Sequence, residues 1–310
     1  MKIAVSIGDL NGAGIEIALR SHKIVSEFCN PIYMVSNRML KEACELLRFQ
    51  IPTDFENVEI GDDFKITPSR VTAESGKYSY ESFIKALTFA KEKKADGICT
   101  LPVNKEAWAK AGIKYKGHTD ALKDIFKKEA IMMIGCDKLF TALYTHHIPL
   151  KEVPSKIEAK KLSEFMLNLY KEIKEEKIGV LGLNPHAGDG GILGVEENTI
   201  KKAIEYVNSK LLEEVFVGPL VPDTAFTPHM RENIKYFVCM YHDQALIAVK
   251  SLYFEESINV SLNLPIIRTS VDHGTAYDKA YKNKPLSNVS YINALKEAVR
   301  LVNKRKEFKI

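Results

Sequence analysis

Three apolar runs of strand length in this chain each end in histidine. "LFTALYTHH" carries His146 and His147, "KIGVLGLNPH" carries His186, and "YFVCMYH" carries His242. Packing a hydrophobic strand gives no reason to place an imidazole and a carboxylate, His242 and Asp243, at its tip. One such histidine is more often a hydrogen-bonded structural residue than a ligand. Three in equivalent topological positions make a divalent-metal site as good a reading as the structural one, since imidazole nitrogen suits zinc, cobalt and related ions. Carboxylates at Asp189, Asp223 and Asp243 can orient imidazoles from behind, although Asp223, directly after Pro222, also suits a turn. Lys250 follows His242 by eight residues, about 12 Å along a helix. Helical side chains lean toward the helix N-terminus, so its ammonium is expected to reach back toward the histidine.

Other polar clusters suit anions. In "KGHTDALKD" His118 and Thr119 open a helix; Thr119 reads as a cap by default, yet both side chains can also donate to a carboxylate or phosphate. Arg268, after the apolar "NLPII", has the planar fork that grips such groups bidentately. The "DHGTA" turn, with His273 and Thr275, suits the ribose, adenine or phosphate of a nucleotide. "SIGDLNGAGIE" is glycine-rich between a strand and a helix whose free N–H groups can bind phosphate. Its Gly8, Gly12 and Gly14 match neither G-x-G-x-x-G nor G-K-[ST], and a plain tight turn is an equally good reading.

These groups need a scaffold. Strands are expected in "KIAVSI", "PIYMVS", "DGICTLPV", "IMMIG", "LFTALYT", "KIGVLGL", "YFVCMYH" and "SINVSL". Helices are expected over 80–94 and 157–174; in the second, Leu162, Phe165, Met166, Leu169 and Ile173 share one face. Continuous apolar strands alternating with helices imply a mostly parallel sheet covered on both faces, with sites at the strands' C-terminal ends. If the three histidine-bearing strands are parallel, their loops share one sheet edge.

The 310 residues are 45% hydrophobic, and 44 Lys and Arg stand against 40 Asp and Glu. No basic face interleaved with aromatics is visible, which argues against nucleic acid as partner. No run of about 18 apolar residues suggests a membrane span, and "MKIAVSIGD" reads as a strand, not a secretory signal. The five cysteines form no C-x-x-C pair and read as reduced core residues of a cytoplasmic protein.

In this order, "GHTD", "HIPL", "NPHAGDGG" with "EE" soon after, "GPLVPDTAF", "MYHDQ" with Lys250 following, and "LPIIRTSVDHGTA" resemble the 4-hydroxythreonine-4-phosphate dehydrogenase family over nearly the whole chain. "DHGTA" is also similar to the adenosine-binding loop of isocitrate and isopropylmalate dehydrogenases. The resemblance implies an α/β fold of two α/β/α domains with mostly parallel sheets, and a homodimer whose active-site cleft is completed by the partner subunit. It places the terminal, cofactor-side domain at 1–116 plus 264–310 and the central domain, with metal site and dimer contacts, at 117–263. It implies NAD- or NADP-dependent oxidation of 4-phosphooxy-L-threonine, in the vitamin B6 pathway, followed by loss of carbon dioxide to give 3-amino-2-oxopropyl phosphate. By motif position a divalent ion (zinc, magnesium or cobalt) would be held by His147, His186 and His242; His147 is chosen because it directly precedes "IPL". Substrate would contact His118, Thr119, Lys250, Asn259 and Arg268, with Lys250, Asp243 and Asp223 as catalytic residues. The cofactor would lie on His273, Gly274, Thr275 and Ala276. Two alternatives stay open: a dehydrogenase of another phosphorylated hydroxy acid, such as a four-carbon sugar-acid phosphate, and a non-catalytic metabolite-binding relative. The chain departs from the family where "GDLNGAGIE" lacks two prolines of the usual first motif, where Asn263 replaces a glycine, and in "AYDKAY" after the cofactor loop.

Overall fold

The computed structural model describes residues 1–308. The chain forms two compact units: Met1–Ala130 with Ile258–Asn303, and Ile131–Ser257 with residues 304–308. The first unit begins with β1 (Lys2–Ser6), α1 (Gly14–Ser26), β2 (Asn30–Met34), α2 (Asn37–Leu47), β3 (Asn57–Val58), α3 (Ala73–Lys91), β4 (Gly97–Thr100), α4 (Lys105–Lys110) and α5 (His118–Phe126). The second contains β5 (Ile131–Cys136), β6 (Leu139–Leu143), α6 (Val153–Lys156), α7 (Ala159–Ile173), β7 (Ile178–Leu181), α8 (Glu196–Leu211), β8 (Phe216–Leu220), α9 (Pro228–Asn233), β9 (Tyr236–Cys239) and α10 (His242–Tyr253). The chain then returns to the first unit with β10 (Ile258–Leu262), β11 (Arg268–Val271) and the part of α11 (Val289–Phe308) that ends at Asn303.

In the first unit the strands lie in the order β3-β2-β1-β4-β11-β10, parallel except for the antiparallel pair β10 and β11. Every residue of β1 after Lys2, and all of β4, is buried, as expected of strands covered on both faces. Ser36, Thr72 and Asn104 start α2, α3 and α4 by accepting from the amides of Met39, Ser75 and Ala107. In the second unit the order is β5-β6-β9-β7-β8; β5 and β6 form an antiparallel pair, and the other neighbours are parallel. Its core joins Leu139, Leu143, Leu181, Phe237, Ala245 and Val249, among others, from four strands and α10.

Among the described residues all eight expected strands form, with ends within three residues of those expected; β4 and β9 stop three residues short, at Thr100 and Cys239. Three more appear that local pattern did not show. β8 carries Gly218 and Pro219 and reads as a turn, but it lies at a sheet edge, where proline is tolerated. β11, "RTSV", looks polar yet is wholly buried. β3 is two residues long. The helix expected over 157–174 forms, with Leu162, Met166, Leu169 and Ile173 buried on one face and Phe165 packed edge-on against Tyr144.

The unit boundaries fall after Ala130 and Ser257, where 116 and 263 were expected. Contacts explain the difference. α5 is held to the first unit by His118, which packs on Phe83 and Trp108, and by the Lys91 ammonium over Phe126. β10 is held there by its hydrogen-bond ladder with β11. All five cysteines are free and buried. Among the described residues no helix is long and apolar enough to cross a membrane.

Candidate active site

In the second unit β6, β9, β7 and β8 lie side by side and parallel. Their C-terminal ends therefore share one edge, and the segments leaving that edge carry His147, His242, His186 and Asp223 in turn. The rings of His147 and His242 lie 5.5 Å apart, centroid to centroid. His242 Nδ1 donates to Asp243 Oδ1 at 2.7 Å, which fixes the imidazole orientation and leaves Nε2 as the ligand atom. β6 ends at Leu143, so both His146 and His147 lie beyond it and strand alternation does not set which of them faces the site. His147 instead takes a left-handed φ of 53°, and it is the ring placed against His242.

His186 is exposed, and its ligand atoms are not gathered with those of the other two histidines. Among the described residues the one group of three metal-capable side chains with ligand atoms all within 4.8 Å is Cys136, Asp137 and Glu256, and there Lys138 already pairs with Glu256 at 2.7 Å. His186 sits instead in a run of left-handed residues from His186 to Gly190, three of them not glycine, a costly conformation that needs outside support. Glu197 supplies it. Its buried carboxylate accepts from the amides of Leu183 and Asn184 at 2.8 and 2.7 Å and from Asn184 Nδ2 at 2.9 Å. Gly188 and Gly194 are needed here: at each, φ is positive, and a Cβ would meet Glu197 Oε2 at 2.7 Å or Asn184 Nδ2 at 2.1 Å.

The first unit holds the anion-binding candidates. Arg268 stands on β11 at 3% exposure. Its guanidinium donates to Thr100 Oγ1 at 3.2 and 2.8 Å and to Ser261 Oγ at 3.0 Å. Both acceptors are neutral hydroxyls, and burial pushes its pKa down to about 10. A buried cation without a carboxylate is costly unless an anion joins it. His118, the first residue of α5, packs edge-on against Phe83 and Trp108. Its Nε2 is shielded and has no partner. Burial, aided by the charge of Arg268, pushes its pKa well below the usual value, so the ring is neutral. Gly117, not Thr119, caps α5, leaving the Thr119 hydroxyl in the first turn free of a capping role. Asn259 on β10 likewise has a buried, unpartnered Oδ1. A cavity of about 250 Å³ in this unit is lined by Thr100, Lys105, His118, Ser270, His273 and Gly274, among others. It thus joins a predicted substrate residue to the predicted cofactor loop, where His273 Nε2 is also buried and unpartnered.

The residues between β1 and α1 form a tight turn, not a phosphate cradle. Ile7 to Ile15 are buried, and the amides of Gly12 and Ala13 donate to Asp9 O and Thr275 O. Gly8, at φ +72°, lies where a Cβ would meet Pro102 O at 2.4 Å.

The family model for "Pyridoxal phosphate biosynthetic protein PdxA" matches residues 27–298. The chain belongs to this family. A 4-hydroxythreonine-4-phosphate dehydrogenase of Sulfurimonas denitrificans is 56% identical over 301 residues, covering 97% of this chain and 98% of that protein. The crystal structure of a 4-hydroxythreonine-4-phosphate dehydrogenase from Burkholderia phymatum matches with TM-score 0.80 and 30% identity, covering 97% and 98% of the two chains. An isocitrate dehydrogenase from Methylococcus capsulatus shares the fold, with TM-score 0.50 at 11% identity over 99% and 87%.

Within this PdxA chain Lys250 behaves differently from the expected backward reach. Its ammonium lies 3.5 Å from Ser257 Oγ and 5.2 Å from the Phe254 ring, both C-terminal to it. Asp189 and Asp223 are exposed loop residues. Local reading gave no role to Asn184, Glu197, Asp9 or Tyr277. The only trace of Glu197 in the sequence was its place in the "EE" pair, because nothing local says that a helical glutamate turns back into a loop.

Proposed function

We propose that this chain is a 4-hydroxythreonine-4-phosphate dehydrogenase that uses NAD or NADP to oxidise the 3-hydroxyl of 4-phosphooxy-L-threonine in pyridoxal phosphate biosynthesis. The hydroxyl carbon gives its hydride to the nicotinamide and the hydroxyl loses a proton. The resulting β-keto acid releases carbon dioxide, and the remaining carbon takes up a proton to give 3-amino-2-oxopropyl phosphate. The observation that carries this reading is the buried guanidinium of Arg268, with no carboxylate partner, near the neutral His118 with its unpartnered Nε2. A doubly anionic phosphorylated amino acid fits both, and family membership supplies its identity.

Arg268 would grip the anion, with His118, Thr119, Asn259 and Lys250 as further substrate contacts. His273, Gly274, Thr275 and Ala276 would carry the nicotinamide cofactor. The paired rings of His147 and His242, with Asp243 behind His242, suit a divalent ion; these two would hold it, with His186 as the third ligand that the family motif implies. When bound, such an ion supplies Lewis acidity, easing ionisation of a hydroxyl and stabilising negative charge on a carbonyl oxygen. Asp243 holds the His242 ring in its tautomer, and Asp223 and Lys250 are the candidates for moving protons. We infer a cytoplasmic homodimer, supported by the exposed apolar side chains Ile192, Val195, Ile247 and Phe254; sedimentation velocity checks it, and a monomer at micromolar concentration contradicts it. The activity test is nicotinamide reduction with 4-phosphooxy-L-threonine and a divalent ion. Reduced cofactor and carbon dioxide are expected in equal amounts, and reduction without carbon dioxide rejects the decarboxylation.

A further inference from the structure

The "DHGTA" loop is followed by "YDKAY", and both tyrosines of that segment turn back onto the β1–α1 turn. Tyr277 donates its hydroxyl to Asp9 Oδ2 at 2.7 Å, and Tyr281 donates to Leu10 O at 2.7 Å. Asp9 is fully buried, and its carboxylate also accepts from the Asn11 amide at 2.9 Å and from Ser75 Oγ at 3.3 Å. Two more bonds close the junction: Ala13 N donates to Thr275 O at 2.9 Å, and Ser69 Oγ donates to Tyr277 O at 2.5 Å. Gly12 permits the approach, since a Cβ there would meet Thr275 O at 2.7 Å. Beyond the junction, Ala276 O accepts from the amides of Lys279 and Ala280, and the Asp272 amide donates to Ser290 Oγ. Gly274 is exposed with open space around it, and Ala276 takes a left-handed φ of 48°, a strained conformation for alanine.

We propose that Tyr277 and Tyr281 are positioning residues that set the cofactor loop, through Asp9 and Leu10, in the shape that receives the nucleotide. This rests on the assignment of residues 273–276 to cofactor binding. The departures of "GDLNGAGIE" and "AYDKAY" from the family pattern are then two halves of one contact. Leu10 and Asn11 line the turn side, and the two tyrosines supply the loop side. The role is preorganisation: a loop already held in its binding shape loses less entropy on binding. A residue that only positions the loop alters cofactor affinity and leaves the hydride step alone.

The test uses the full-length chain and two variants, Tyr277→Phe and Tyr281→Phe, which keep the rings and remove only the hydroxyls. Amide hydrogen exchange of the unliganded protein is read over residues 272–282, and NADH affinity is read by fluorescence titration. Faster exchange confined to that segment and roughly tenfold weaker NADH binding in Tyr277→Phe, with KM for the cofactor raised and kcat unchanged, is the expected result. Unchanged exchange overturns the anchoring role. Faster exchange with unchanged affinity overturns its link to the cofactor. If wild-type protein binds neither NADH nor NADPH, the cofactor assignment fails and the inference with it, and the exchange data still show separately whether the anchor exists.

Discussion

At the scale of single residues, two kinds of side chain carry the site. His147 and His242 are ligand candidates held ready, ring against ring, with Asp243 behind. Alanine at His147, His186 or His242 is expected to leave the chain folded and to remove most bound metal and nearly all turnover, because two imidazoles hold an ion poorly against water. His146→Ala is expected to retain the metal content of the wild type; metal analysis of the four purified variants checks this, and the reverse order for 146 and 147 sinks the assignment. Arg268 is the other kind, a charge held where only hydroxyls meet it. Arg268→Lys keeps the charge and loses the fork, so KM for substrate should rise about tenfold or more; an unchanged KM makes Arg268 structural. His118 gives a pH signature. Its folded-state pKa lies well below the ordinary 6.5. Below pH 6.5 the unfolded chain therefore binds a proton that the folded chain refuses, and stability falls with pH in that window. Urea titrations from about pH 7.5 to about pH 5.5 should show this loss in the wild type and less of it in His118→Asn.

At the scale of elements, the segment from β7 to α8 is where sequence and geometry constrain each other most. Asn184, Gly188, Gly194 and Glu197 lock a left-handed run that carries His186. Glu197→Gln keeps the shape but replaces one acceptor oxygen with a donor facing backbone amides. The expected cost is about 1–3 kcal/mol of stability, with weaker metal retention than the wild type. Thermal melts and metal analysis of the same preparation read both, and a variant equal to wild type in each removes Glu197 from this role. The strand pattern here was legible because parallel buried strands are continuous apolar runs. The loop was not, because a left-handed run is imposed by contacts from α8.

At the scale of the whole molecule, binding and stability are linked. A ligand that binds only the folded chain stabilises it by about 2.7 kcal/mol at one hundred times its Kd. Stripping divalent metal with a chelator should therefore lower the Tm of the wild type, and re-addition of the ion should restore it. His147→Ala should show a Tm that neither treatment moves. A wild-type Tm indifferent to both contradicts a resident ion.

Local pattern was enough to determine the α/β class, the eight apolar strands and the arrival of histidines at strand ends, because periodicity and burial of a strand depend on its own residues. It also supplied Arg268 and His118 by type. Only the tertiary structure decided which strands are neighbours, and the order β6, β9, β7, β8 is not the order of the chain. It alone made Arg268, known from the sequence only as following an apolar run, a buried strand cation meeting Thr100 from 168 residues away, and joined Tyr277 to Asp9 across 268. Hydrogen bonds between such distant residues have no local period. They exist only once parallel strands, each reached by a crossover, bring their loops to a common edge.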